Sequence, residues 1–106
     1  MLASWPKTIE DARRLQNEVS KKVVLEPLKA EINTVGGVDA LSDGETIIGC
    51  VSVFDYRSLV PVEEIYSIAK TSFSYVPGYL TLREGPAMLS ALKHLRSLPD
   101  ILIMAQ

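Results

Sequence analysis

Between Thr8 and about residue 22 the apolar residues Ile9, Ala12, Leu15, Val19 and Val23 recur every three or four positions, with charged residues between them. That spacing predicts an amphipathic helix. Thr8-Ile9-Glu10-Asp11 fits a capping box loosely and puts acids in the first turn, where the helix dipole favours them. The pattern stops at Pro27. Three runs of β-branched and apolar residues follow, Glu31 to Leu41, Thr46 to Phe54 and about Val60 to Thr71, and each predicts a strand. Ser42-Asp43-Gly44-Glu45 separates the first two, and Asp-Gly between such runs is a strong hairpin signal. Asp55-Tyr56-Arg57-Ser58 supplies a second turn. Leu82, Ala87, Leu89, Ala91, Leu92 and Leu95 predict a helix from about Glu84 to Ser97, with Pro86 in its first turn, where the missing N–H is not needed. Leu98-Pro99-Asp100 ends it, and Ile101-Leu102-Ile103-Met104 reads as a short buried strand.

Three strands on short turns form an antiparallel meander. A right-handed crossover through the second helix then lays the fourth strand parallel to the first. The predicted class is α/β in a single domain over residues 1–106, with no repeat and only a short linker near Glu26-Pro27. Four strands with helices on one face leave apolar surface and strand edges wanting cover. A homo-oligomer, or a missing C-terminal partner segment, follows as an expectation.

Composition narrows the function classes. The chain is 47% apolar and 23% charged, ordinary for a globular protein, and its net charge of −2 gives no basic footprint for nucleic acid. The single Cys50 excludes an internal disulfide or a multi-thiolate metal site and is expected to pack in the core. No stretch approaches the roughly 18 apolar residues of a spanning helix, so no membrane partner and a cytoplasmic location are expected.

Candidate chemistry rests on two acids. Asp39 lies inside the first strand, where a carboxylate is costly unless it is exposed, paired or bound to a cation. Glu84 opens the second helix, where it either complements the dipole or faces a groove. If both point into one groove, two hard oxygen ligands could hold Mg²⁺ or Mn²⁺ for phosphodiester hydrolysis. His94, the one histidine, reads as a surface contact at a helix end. Tyr75-Val76-Pro77-Gly78 is either a rigid turn capping the core together with Tyr79 or an aromatic wedge for a nucleic-acid groove.

The run YVPGYLTLRE, followed by an apolar helix and LPDILI, closely resembles a segment of the endonuclease V family, and GGVDALSDGETIIGCVSVFD resembles that family's first hairpin. The resemblance covers about residues 8 to 104. It implies a ribonuclease H-like fold and Mg²⁺- or Mn²⁺-dependent nicking of DNA, or RNA, 3′ to deaminated bases, notably inosine. By that resemblance Asp39 and Glu84 match catalytic metal-binding acids, and Tyr75, Val76, Pro77 and Gly78 match the nucleic-acid-binding wedge. The chain departs at Ser74, where members often carry Pro, and at Met104-Ala105-Gln106, where the family's strand runs on into a third metal acid. A truncated, incomplete endonuclease V-like domain is therefore expected, inactive alone or retained as a non-enzymatic module.

Overall fold

The computed structural model describes residues 5–28, 31–71 and 79–104. Helix α1 spans Ile9–Ser20 and starts as its sequence dictates, with the Asp11 N–H donating to Thr8 Oγ1 at 3.2 Å. It ends two residues before the predicted limit. Val23 and Val24 are 64% and 69% exposed, so the last part of the apolar stripe buries little against the described residues.

Strands β1 (Thr34–Asp43), β2 (Thr46–Asp55) and β3 (Pro61–Lys70) form the antiparallel meander, and β4 (Ile101–Met104) pairs with β1 in parallel. The sheet order is β3-β2-β1-β4, as the crossover rule requires. β1 begins at Thr34 rather than Glu31. The Asn33 carbonyl still accepts from the Tyr56 N–H, its opposite number in the β1–β2 register, but the Asn33 N–H is turned to the Asp100 carboxylate, so the reciprocal ladder bond is not made. At the hairpin Asp43 pairs with Thr46, leaving only Gly44 and Glu45 in the loop. Gly44 takes φ +63 at the first loop position, the place where a type II′ turn needs glycine. Pro61 opens an edge strand, where its missing N–H costs no ladder bond, and the β2–β3 register shifts at Val53/Phe54.

Helix α2 spans Leu80–Lys93 and not Glu84 to Ser97. Its first turn is fixed by packing: Leu82 is buried with Ala12, and Trp5, Leu15 and Tyr79 pack around them. Pro86 is thus the seventh helical residue rather than one of the first turn. His94 is the C-cap, with Nδ1 at 2.7 Å from the Ser90 carbonyl, so the surface reading of that histidine holds.

α2 lies across one face of the sheet. Val38, Val51, Val53, Met88 and Ala91 form the core between them, with Ile47 and Ala87 also buried. Along β2 the odd-numbered residues from Ile47 to Val53 are buried and the even-numbered ones are half-buried, the alternation of a sheet covered on one side. Cys50 therefore sits half-buried on the face away from α2, not in the core as the sequence suggested. That open face also carries Leu41, Tyr66, Ile68 and Ile103, each more than 60% exposed. No helix among the described residues is long and apolar enough to cross a membrane.

Three carboxylates, two of them exposed and Asp55 half-buried, are held below their ordinary range. Asp100 accepts the Asn33 and Thr34 N–H groups, Asp55 accepts the Ser58 N–H and hydroxyl, and Glu64 accepts the Tyr66 phenol and the Ser52 hydroxyl. A carboxylate depressed in the folded state stabilises the fold above its unfolded pKa, and that stabilisation is lost as pH falls through the folded value. We expect the urea midpoint to fall steadily below about pH 4. Asp100→Asn should weaken the protein at neutral pH and flatten that acid slope, and an unchanged slope would contradict this.

Candidate functional site

The tip of the β1–β2 hairpin is tied to the start of α2 by two successive side chains. The Arg83 guanidinium donates to the Gly44 carbonyl, and the Ser42 hydroxyl donates to Glu84 Oε2 at 3.5 Å. Neither Ser42 nor Arg83 is marked by local periodicity, because each contact spans about forty residues of chain. The signal available was the Asp-Gly turn together with the Arg83-Glu84 pair.

Glu84 is the fifth residue of α2 and half-buried, and the first turn of α2 holds no acid. It does not open the helix, so dipole complementation no longer accounts for it. Its one side-chain hydrogen bond among the described residues goes to the end of β1.

Asp39 is exposed in the interior of β1, and its Oδ1 accepts the N–H of its own neighbour Ala40 at 2.8 Å. It pairs across the ladder with Cys50, and these two residues, with Gly37, Ser52, Phe54 and Ile103, line a shallow hollow of about 370 Å³ on the open face. On the same face Tyr66 donates to Glu64 at 2.6 Å, and the carboxylate pushes the phenol up to about 12, so the phenol stays a donor. Asp39 and Glu84 make no hydrogen bond to each other. Among the described residues no group of three or more His, Cys, Asp or Glu is placed to hold a metal. The wedge residues Tyr75, Val76, Pro77 and Gly78, and the Ala105 position, lie outside the described residues. Tyr79, next to Gly78, packs against the Ala12–Leu82 cluster, as the turn reading of that stretch has it.

The endonuclease V family model matches residues 17–105. The chain belongs to the endonuclease V family. Endonuclease V of Dictyoglomus turgidum is 40% identical over 94 residues, which make up 89% of this chain and 41% of that protein. The crystal structure of endonuclease V from Streptomyces avermitilis superimposes with a TM-score of 0.88 at 33% identity, covering 98% of this chain and 47% of that one. Endonuclease V of Ciona intestinalis, solved in complex with a 23mer DNA containing an inosine, has the same fold at 21% identity and a TM-score of 0.78, covering 91% of this chain and 44% of its own. The endonuclease V architecture expected from the sequence is thereby established. The chain spans less than half the length of the endonuclease V relatives it matches.

Proposed function

We propose that this chain carries the metal-acid half of an endonuclease V site, acting on nucleic acid with deaminated bases, and that its 106 residues alone do not complete that site. The observation that carries the reading is the position of Glu84: past the first turn of α2, tethered by Ser42 to the end of the strand that bears Asp39. Both acids offer oxygen donors, which suit Mg²⁺ or Mn²⁺. Asp39 and Glu84 would hold the ion, and Ser42 would orient Glu84. A bound ion of this kind polarises phosphate oxygens and lowers the pKa of its water. Tyr75 to Gly78 immediately precede the N-cap of α2 in the sequence and would serve as the wedge. Inosine-containing DNA is the substrate class this reading favours, by likeness to the Ciona protein.

The test is thermal unfolding with and without millimolar Mn²⁺. If the acids converge, their repulsion is relieved by the cation, and the parent gains stability that Asp39→Asn and Glu84→Gln both reduce. Without metal neither variant should be less stable than the parent. An equal response in all three proteins would defeat the reading.

A second reading, a self-associating module, is favoured by the exposed apolar residues of the open face and by the position of β3 and β4 as edge strands among the described residues. It expects light scattering at micromolar concentration to give more than the 11.7 kDa of one chain. A monomer mass would reject it.

A further inference from the structure

At the end of the sheet opposite β4, strand β3 has a neighbour on one side only among the described residues, β2. The ladder fixes which of its backbone groups are left over. The Thr71 N–H donates to the Glu45 carbonyl, the pair that follows Thr46 and Lys70 in the register. By antiparallel alternation the N–H and C=O groups of Ala69, Ser67 and Ile65 then turn to β2, and those of Lys70, Ile68, Tyr66 and Glu64 turn outward. The features that usually guard an edge stand only at the ends of this one, Pro61 and the register shift at one and Lys70 at the other. Between them Tyr66 and Ile68 are mostly exposed.

The order of side chains along this edge complements itself. A two-fold axis through Ser67 lays a second β3 antiparallel to the first, and it sets Tyr66 opposite Ile68 of the other copy and Glu64 opposite its Lys70, each pair occurring twice. All four residues bond outward, so each pair exchanges both of its ladder hydrogen bonds. Aromatic with β-branched and acid with base are the favourable cross-strand pairs. Moving the axis to Tyr66 would set Glu64 against Ile68, and moving it to Ile68 would set Tyr66 against Lys70, so Ser67 is the position that satisfies the charges. Glu64 is already held in place by the Tyr66 phenol and the Ser52 hydroxyl, and Lys70 has no ion-pair partner among the described residues. Helix α2 does not obstruct the contact: it packs chiefly on β2, and β2 of the two copies would stand three strand spacings, about 14 Å, apart, against about 8–10 Å between packed helices.

We infer that the edge of β3 is a docking surface for a second copy of this chain, the two sheets joining into one about a two-fold axis at Ser67. This gives the self-associating reading a surface and a register, and it rests on that reading. Each copy has one β3, so the contact closes at two copies. Asp39, Glu84 and the β4 edge take no part in it, which leaves the proposed acid site as it is in the single chain.

The test combines sedimentation equilibrium with cysteine cross-linking on the whole chain. The parent is expected at twice 11.7 kDa at micromolar concentration. Glu64→Lys and Lys70→Glu each set like charges opposite one another at two places and should weaken the dimer about tenfold, whereas the double substitution Glu64→Lys/Lys70→Glu restores opposite charges and should return it to the parent's dissociation constant. Both residues are exposed, so circular dichroism should stay that of the parent. In a Cys50→Ser background, Ser67→Cys should form an intermolecular disulfide under mild oxidation, because a non-hydrogen-bonded pair brings its Cα atoms to about 4.5 Å. Lys70→Cys should not, since the two copies of that position lie about 20 Å apart along the ladder. A monomer mass for the parent overturns this inference and the self-associating reading together. A dimer that neither charge reversal weakens, or that links through residue 70 and not through residue 67, overturns the β3 contact alone and leaves self-association to another surface.

Discussion

Gly49→Val is expected to leave the chain largely unfolded at room temperature. A Cβ on Gly49 would stand 2.4 Å from the Ala87 carbonyl oxygen, 2.5 Å from its carbon and 2.8 Å from the Met88 nitrogen. These are backbone atoms of α2, so no rotamer change relieves the clash and the helix must lift off β2. Lifting it opens the core of Val38, Val51, Val53, Met88 and Ala91. Overpacking a core costs about 1–3 kcal/mol when side chains can adjust and more when they cannot. A domain of this size has only about 5–15 kcal/mol to lose. Gly37→Ala is the control, because a Cβ there meets nothing within 4 Å. Its urea midpoint should stay near the parent's while that of Gly49→Val collapses. A folded Gly49→Val protein with the parent midpoint would refute this account of how α2, and with it Glu84, is positioned.

The same contact explains part of what could and could not be read from the sequence. The element order, the hairpin at Gly44, the parallel β4 and the family itself follow from period, turn residues and the quoted motifs. The faces of β2 do not. Thr46 to Phe54 is almost continuously apolar, so nothing local shows that Gly49 rather than Cys50 meets the helix. The start of α2 was displaced for a related reason. Pro86 suggests a first turn, but the burial of Leu82 against Ala12 and the packing of Trp5 and Tyr79 around them carry the helix back to Leu80. Those are contacts between distant parts of the chain, invisible to a local pattern.

The candidate site divides in the same way. Asp39 and Glu84 stand out because acids in apolar surroundings are conspicuous, and the resemblance assigned them a role. Ser42 and Arg83, which bind the hairpin to α2, do not stand out, because a serine and an arginine are ordinary at exposed turn and helix positions. The sheet alternation also places Asp39 on the open face while Glu84 comes from α2. A shared ion therefore requires Asp39 to be reached around the end of β1, a condition that composition and spacing did not reveal.

The most direct measurement is made on a chimera in which this chain replaces the matched 94-residue stretch of the Dictyoglomus turgidum endonuclease V. The isolated 106-residue chain is expected to leave inosine-containing DNA intact, since it spans only part of the length over which its relatives build their activity. The chimera is expected to nick that DNA 3′ to the inosine, with Mg²⁺ or Mn²⁺ present. Glu84→Gln keeps the size of the side chain and a hydrogen-bonding oxygen for Ser42, and Asp39→Asn keeps an acceptor for the Ala40 N–H, so both remove charge with little change of shape. Residues that merely orient metal ligands are worth about 10- to 100-fold in activity, so each substitution of a ligand should lower nicking by at least about a hundredfold. A chimera that nicks equally well with Asn at 39 or Gln at 84 would contradict the assignment of these two acids. Nicking at a defined position 3′ to inosine by the isolated chain would contradict the claim that its site is incomplete.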